Sequence, residues 1–157
     1  MQINLLCIGK TDDKEITSLI SYYIKRFPKH WNFEIIEIPD VKNAKNLSSE
    51  LLKKEEARLF LYYIDRTDLV MILDEKGKQY TSREFSQKID SWMNSSVKKI
   101  HLLIGGAYGF SEEIYTRAND KISLSKMTFT HQMIRLFIVE QLYRADQILQ
   151  GKPYHND

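Results

Sequence analysis

A chain of 157 residues fits one domain spanning 1–157, long enough to bury roughly two-thirds of its unfolded surface. A net charge of +2 with ordinary apolar and charged fractions permits an RNA partner without announcing one. No apolar run approaches a membrane span, strand-like residues start at Met1 with no room for a signal peptide, and the single Cys7 excludes a disulfide framework and points to a reducing, cytoplasmic setting.

Asn4 to Ile8 is a short apolar run, read as a buried first strand. Gly9-Lys10-Thr11 follows, but a phosphate loop needs a glycine where Asn4 stands, inside that strand. Asp12 and Glu15 have capping-box spacing, and Ile16, Leu19, Ile20, Tyr23, Ile24 and Phe27 form one apolar stripe of a helix ending before Pro28. Phe33 to Ile38 is a second strand, closed by Pro39-Asp40. Ser48 or Ser49 caps a helix through about Ile64, whose Lys53, Lys54, Glu55, Glu56 and Arg58 are expected on a solvated face.

Leu69 to Leu73 is a third strand, after which Glu75-Lys76-Gly77-Lys78 is expected to turn the chain. Thr81 and Glu84 open a further helix with Phe85, Ile89, Trp92 and Met93 inward. Ile100 to Ile104 is a fourth strand; a short helix and a strand from Ile122 to Leu124 follow, then the longest apolar helix. The alternation of strands and helices, with apolar runs as strands, predicts an α/β fold: a mostly parallel sheet with helices on both faces. Four scattered histidines and one cysteine show no metal-ligand spacing.

Two strand ends followed by tight polar loops mark a ligand crevice, because ligands collect beyond the carboxyl ends of parallel strands. The first loop, Gly105 to Phe110, reads G-G-x-x-G rather than a dinucleotide fingerprint, and no acidic residue ends the next strand to hold a ribose. Its glycines serve either plain turn chemistry or close backbone approach to a ligand. In the second loop, Ser125 and Thr128 are either helix caps or ligand contacts, and Met127 and Phe129 would be core under the former reading.

The run Leu124-Ser125-Lys126-Met127-Thr128-Phe129, with His131-Gln132-Met133, Arg135 and Glu140-Gln141-Leu142-Tyr143-Arg144-Ala145, resembles one family. It is the bacterial large-subunit ribosomal RNA pseudouridine methyltransferase H family of the SPOUT superfamily. Ile104 to Gly109, the closing Gly151 to His155 and the start of the chain fit as well, so the resemblance covers the whole length. It implies a C-terminal trefoil knot, a homodimer, and S-adenosylmethionine bound in bent form within the knot. It also implies methylation of N3 of a pseudouridine in a stem-loop of the large-subunit RNA. By the same resemblance the cofactor contacts are Leu73, Gly105, Leu124, Ser125, Lys126, Met127, Thr128 and Phe129.

A sulfonium donor asks mainly for alignment, and positioning contributes on the order of 7–11 kcal/mol. The acceptor nitrogen carries a proton, so a base or a cation stabilising the imide anion would help; His131, Arg135, Tyr154 and His155 are the candidates. For His131 a local hydrogen bond in the first helical turn is the competing role, and for Tyr154 and His155 a frayed terminus. A noncatalytic RNA- or ribosome-binding protein of the same fold is the rival function. The apolar residues of Met133 to Leu149 point nearly all round the axis, which predicts a homodimer built on that helix.

Overall fold

Five strands pair in parallel, the apolar runs at the centre and the more polar strands at the edges, with helices above and below. The computed structural model describes residues 1–156. In chain order the elements are β1 (Gln2–Ile8), α1 (Lys14–Ile24), β2 (Phe33–Ile38), α2 (Ser49–Leu61), β3 (Leu69–Gln79), α3 (Ser82–Met93), β4 (Lys99–Ile104), α4 (Glu112–Arg117), β5 (Asp120–Ser123) and α5 (His131–Leu149). The sheet runs β2-β1-β4-β3-β5 with every pairing parallel.

Because side chains alternate across a strand, the sheet feeds two cores. Leu5, Cys7, Met71, Ile100, Leu102 and Ile104 pack with Ile16, Ile20, Phe85, Ile89, Ile138 and Leu142 from α1, α3 and α5. Leu6, Val70, Ile72 and Leu103 pack with Ala57, Phe60 and Ile114 from α2 and α4. Each fully buried Leu or Ile contributes roughly 1.5–3 kcal/mol relative to an exposed one. On the second face a polar chain crosses the strands: Asn4 Nδ2 lies 3.4 Å from His101 Nδ1, and His101 Nε2 lies 2.8 Å from Asp68 Oδ2. Burial keeps His101 less basic than usual, and Asp68 opposes that only in part.

The caps explain where the helices begin. Ser48, Thr81 and Thr130 each accept a backbone N–H three residues on, and Thr81 with Glu84 completes a capping box. The first helix departs from expectation, since Asp13 rather than Asp12 accepts from Ile16 N. At the other end of α5, Gly151 adopts φ 64°, with its N–H on Ile148 O and that of Lys152 on Gln147 O. This Schellman cap suits glycine because a Cβ is disfavoured there.

Two other expectations are corrected. Residues 75–78 do not turn the chain back; β3 continues to Gln79, and Ile122 pairs first with Leu73 and then with Lys78. Residues 74–76 therefore arch out of the β3–β5 ladder, and Gly77 brings the chain back against Ile122. Glu56 does not lie on a solvated face but is buried at 6% exposure.

A candidate cofactor crevice at the strand ends

The carboxyl ends of β3, β4 and β5 open into one cavity of about 450 Å³. Three backbone segments wall it: the 74–76 arch of β3, the glycine loop 105–110, and the 123–129 segment between β5 and α5. Leu73, Ile104, Ile122, Leu124 and Ile134 supply an apolar lining, while Asp74, Glu75 and Lys76 supply charge. The volume falls within the usual range for small-molecule sites, and flat apolar walls with a few polar groups suit a nucleoside.

The sequence-derived cofactor residues converge here. Leu73, Gly105, Leu124, Ser125, Met127, Thr128 and Phe129 all line the cavity, and Lys126 is exposed on the same loop. Ser125 and Thr128 are not helix caps. Thr130 caps α5, while Ser125 Oγ accepts from Met127 N at 3.0 Å and shapes the loop. Nor are Met127 and Phe129 core: they are 74% and 41% exposed, and Phe129 meets Phe137 edge to face at 5.0 Å.

Gly105 is buried, and a Cβ there would come within 3.2 Å of the Phe110 ring and 3.3 Å of the Gly109 backbone. The glycine thus lets its own loop fold tightly as well as leaving room beside the cavity. Gly105→Val should abolish donor binding by displacing the loop, with the far ends of the strands intact. Titration calorimetry at a temperature where the variant is folded checks this, and parental affinity would place the crevice elsewhere.

The four candidate catalytic side chains are not brought to one point. His131 lines the cavity at the start of α5, where partial desolvation and then the Arg135 charge lower its basicity. Arg135 does not line the cavity: 2% exposed, it donates to Ile8 O at 2.7 Å and to Thr11 Oγ1 at 2.9 Å, with Glu37 Oε1 3.8 Å away. Its neighbour Gln132 donates to Lys10 O at 3.0 Å. These bonds occupy the Gly9-Lys10-Thr11 turn, and the Thr11 N–H is taken by Glu37 at 2.6 Å. A phosphate would meet a carboxylate there.

Tyr154 and His155 lie against their own α5. Tyr154 donates to Glu140 Oε1 at 3.1 Å and packs on Tyr143 at 4.9 Å, while Arg144 covers its ring and lies 3.3 Å from His155 Nδ1. Burial first, then Tyr23 and Glu140, push the Tyr154 phenol well above its ordinary pKa, so it is a hydrogen-bond donor rather than a base. Neither residue lines the crevice of its own chain.

Sequence reasoning missed Tyr115, whose hydroxyl donates to Asp74 at the cavity wall while Asp74 Oδ1 accepts from Lys76 N at 2.8 Å. It lies on short α4, whose one turn gives no periodic signal. Cys7 is inert: burial pushes its thiol up to about 12.

A family profile described as predicted SPOUT methyltransferase matches residues 1–155. A protein of Christiangramia forsetii named ribosomal RNA large subunit methyltransferase H is 52% identical over 156 residues, covering 99% of both chains. One of the same name from Cytophaga hutchinsonii is 51% identical over 156 residues, covering 99% of this chain and all of its own. A solved structure, a probable methylase family protein from Haemophilus influenzae, shares the fold with TM-score 0.58 at 11% identity, over 95% of this chain and 66% of that one. With the crevice at the strand ends and the match running nearly end to end, the chain belongs to the SPOUT methyltransferase family, alongside the relatives named ribosomal RNA large subunit methyltransferase H.

Proposed function

We propose that the protein methylates N3 of a pseudouridine in large-subunit ribosomal RNA, using S-adenosylmethionine held in the 450 Å³ crevice. The observation that carries the reading is the convergence of Leu73, Gly105 and the 124–129 loop on that one cavity. The names of the relatives supply the RNA class. When bound, S-adenosylmethionine supplies an activated methyl group on a sulfonium. The chain's own part is to align and desolvate. Leu73, Ile104, Ile122 and Leu124 offer apolar walls for a flat base, the glycine loop offers backbone at close range, and Asp74 and Glu75 offer negative charge to a cationic donor. His131, at the cavity edge with lowered basicity, is placed to accept the acceptor proton. We read the segment 123–130 with α5 as the threaded part of a trefoil knot.

The working unit in this reading is a homodimer built on α5. Met127 and Phe129 continue onto the half-buried Met133, Leu136 and Phe137 as one apolar band, more than the domain itself covers. Docked on α5, Tyr154 and His155 would travel with that helix to the partner's crevice, where a flat ring and an imidazole serve a flipped base. Removing residues 153–157 should abolish methyl transfer while leaving donor affinity and a sedimenting dimer unchanged. Mixed with Gly105→Val, the truncated chain should regain one working site per heterodimer. No recovery in a verified heterodimer would put the tail in its own chain's site.

The reaction itself is tested by mass spectrometry of large-subunit RNA from a strain lacking the gene, together with calorimetry on the protein. Loss of one methyl from one pseudouridine and heat on adding S-adenosylmethionine support the proposal. An unchanged modification map rejects it, and absence of heat favours a noncatalytic RNA-binding role.

A further inference from the structure

Helix α2 contributes no side chain to the crevice wall, yet it grips the glycine loop at two points. Phe60 packs on Phe110 with ring centroids 6.0 Å apart, and the Phe110 ring closes over Gly105. One turn earlier, the Glu56 carboxylate lies directly beneath Gly106, where any Cβ would fall on its oxygens. The Gly106 carbonyl accepts from Gly109 N at 3.1 Å, closing the turn, and the Glu56 carboxylate sits against the Gly106 backbone on the other side, close enough for its N–H to favour the charged form.

A buried carboxylate is an expensive way to fill space. Desolvation raises the Glu56 pKa, the Gly106 N–H opposes this, and the Asp40 charge adds to the rise. An apolar side chain would pack α2 against the sheet without that cost but would leave the Gly106 N–H unanswered. A carboxylate set against a backbone N–H in this way suits a support that fixes the height of a loop.

We propose that Glu56 is a positioning residue for the donor site, fixing the 105–110 loop through Gly106 while touching no ligand itself. This rests on the reading that the crevice binds S-adenosylmethionine. Glu56→Ala should weaken S-adenosylmethionine binding about tenfold, whereas Glu56→Gln, which keeps an acceptor of the same length, should stay within about threefold of the parent. In turnover the KM for the donor should rise, with kcat at saturating donor and the KM for RNA unchanged. Leu52→Ala, on the same buried face of α2, controls for loss of stability and should leave donor affinity as it was. If Glu56→Ala does not fold, Glu56→Ser gives the same test, since its hydroxyl is too short to reach Gly106. Parental affinity in Glu56→Ala or Glu56→Ser, or an equal loss in Leu52→Ala, overturns the inference while the donor site stands. No binding by the parent protein sinks the donor site and this inference together.

Discussion

Gly77→Ala is expected to lower the unfolding temperature sharply and to carry the donor site away with it. A Cβ at residue 77 would lie 2.6 Å from the Ile122 carbonyl carbon, 2.7 Å from its nitrogen and 2.8 Å from the Lys121 carbonyl carbon. Those atoms are backbone of β5, pinned by pairing to β3 on both sides of the arch, so they have no rotamer with which to yield. Relief must come from lifting Gly77 off β5, which undoes the Lys78–Ile122 and Gln79–Ser123 pairs and moves the adjoining 74–76 cavity wall. Overpacking of this kind costs about 3 kcal/mol. In a domain of this size that is roughly 6–12 °C in Tm. Lys76→Ala, exposed one residue away, should change stability by no more than about 0.5 kcal/mol. Thermal unfolding of the two variants decides: equal stability would mean the arch has slack.

Arg135→Met should likewise destabilise, by about 2 kcal/mol, because it leaves the half-buried Ile8 carbonyl and Thr11 hydroxyl without their partner. Exchanging a buried charge for an apolar group of similar volume is sometimes neutral, but only when its partners are replaced too. Here one partner is backbone and remains. The substitution also unties the first turns of α5 from the β1 end, so donor affinity should fall several-fold through the loop that α5 carries. Arg135→Lys should not restore either property, since one ammonium cannot reproduce the guanidinium fork that meets both oxygens. The opposite outcome is informative. If Arg135→Met keeps its Tm and its donor affinity but loses methyl transfer, the arginine acts on the reaction and its buried contacts are incidental.

Much of this molecule is legible from residue order alone. Apolar runs of strand length alternating with amphipathic helices specify a parallel sheet covered on both faces, because strands buried on both sides have no need of polar alternation. Local chemistry narrowed one cap to Ser48 or Ser49 and placed another at Thr81, since each depends on a few neighbouring residues. The loops expected to hold a cofactor drew on a different source, the match of a long ordered run to a family, and seven of their eight residues line one cavity.

What the sequence could not settle depended on contacts between residues far apart in the chain. Glu56 is one charge among six in a helix whose charges look solvated, and only the approach of a loop fifty residues later makes its burial worth the desolvation. Gly77 sits in a string of turn-forming residues, and it takes the return of β3 to β5 to make it a packing glycine. Arg135 stands one helical turn from the cavity-lining His131, yet its guanidinium is taken up by the turn after β1, which it meets only in three dimensions. The sequence determined the layers, some of the caps and two of the three crevice walls, because these follow from periodicity, local hydrogen bonding and a contiguous motif. Which buried polar groups hold the crevice in shape was decided by tertiary structure, because the free energy of a buried charge is set by the partner it finds across the fold.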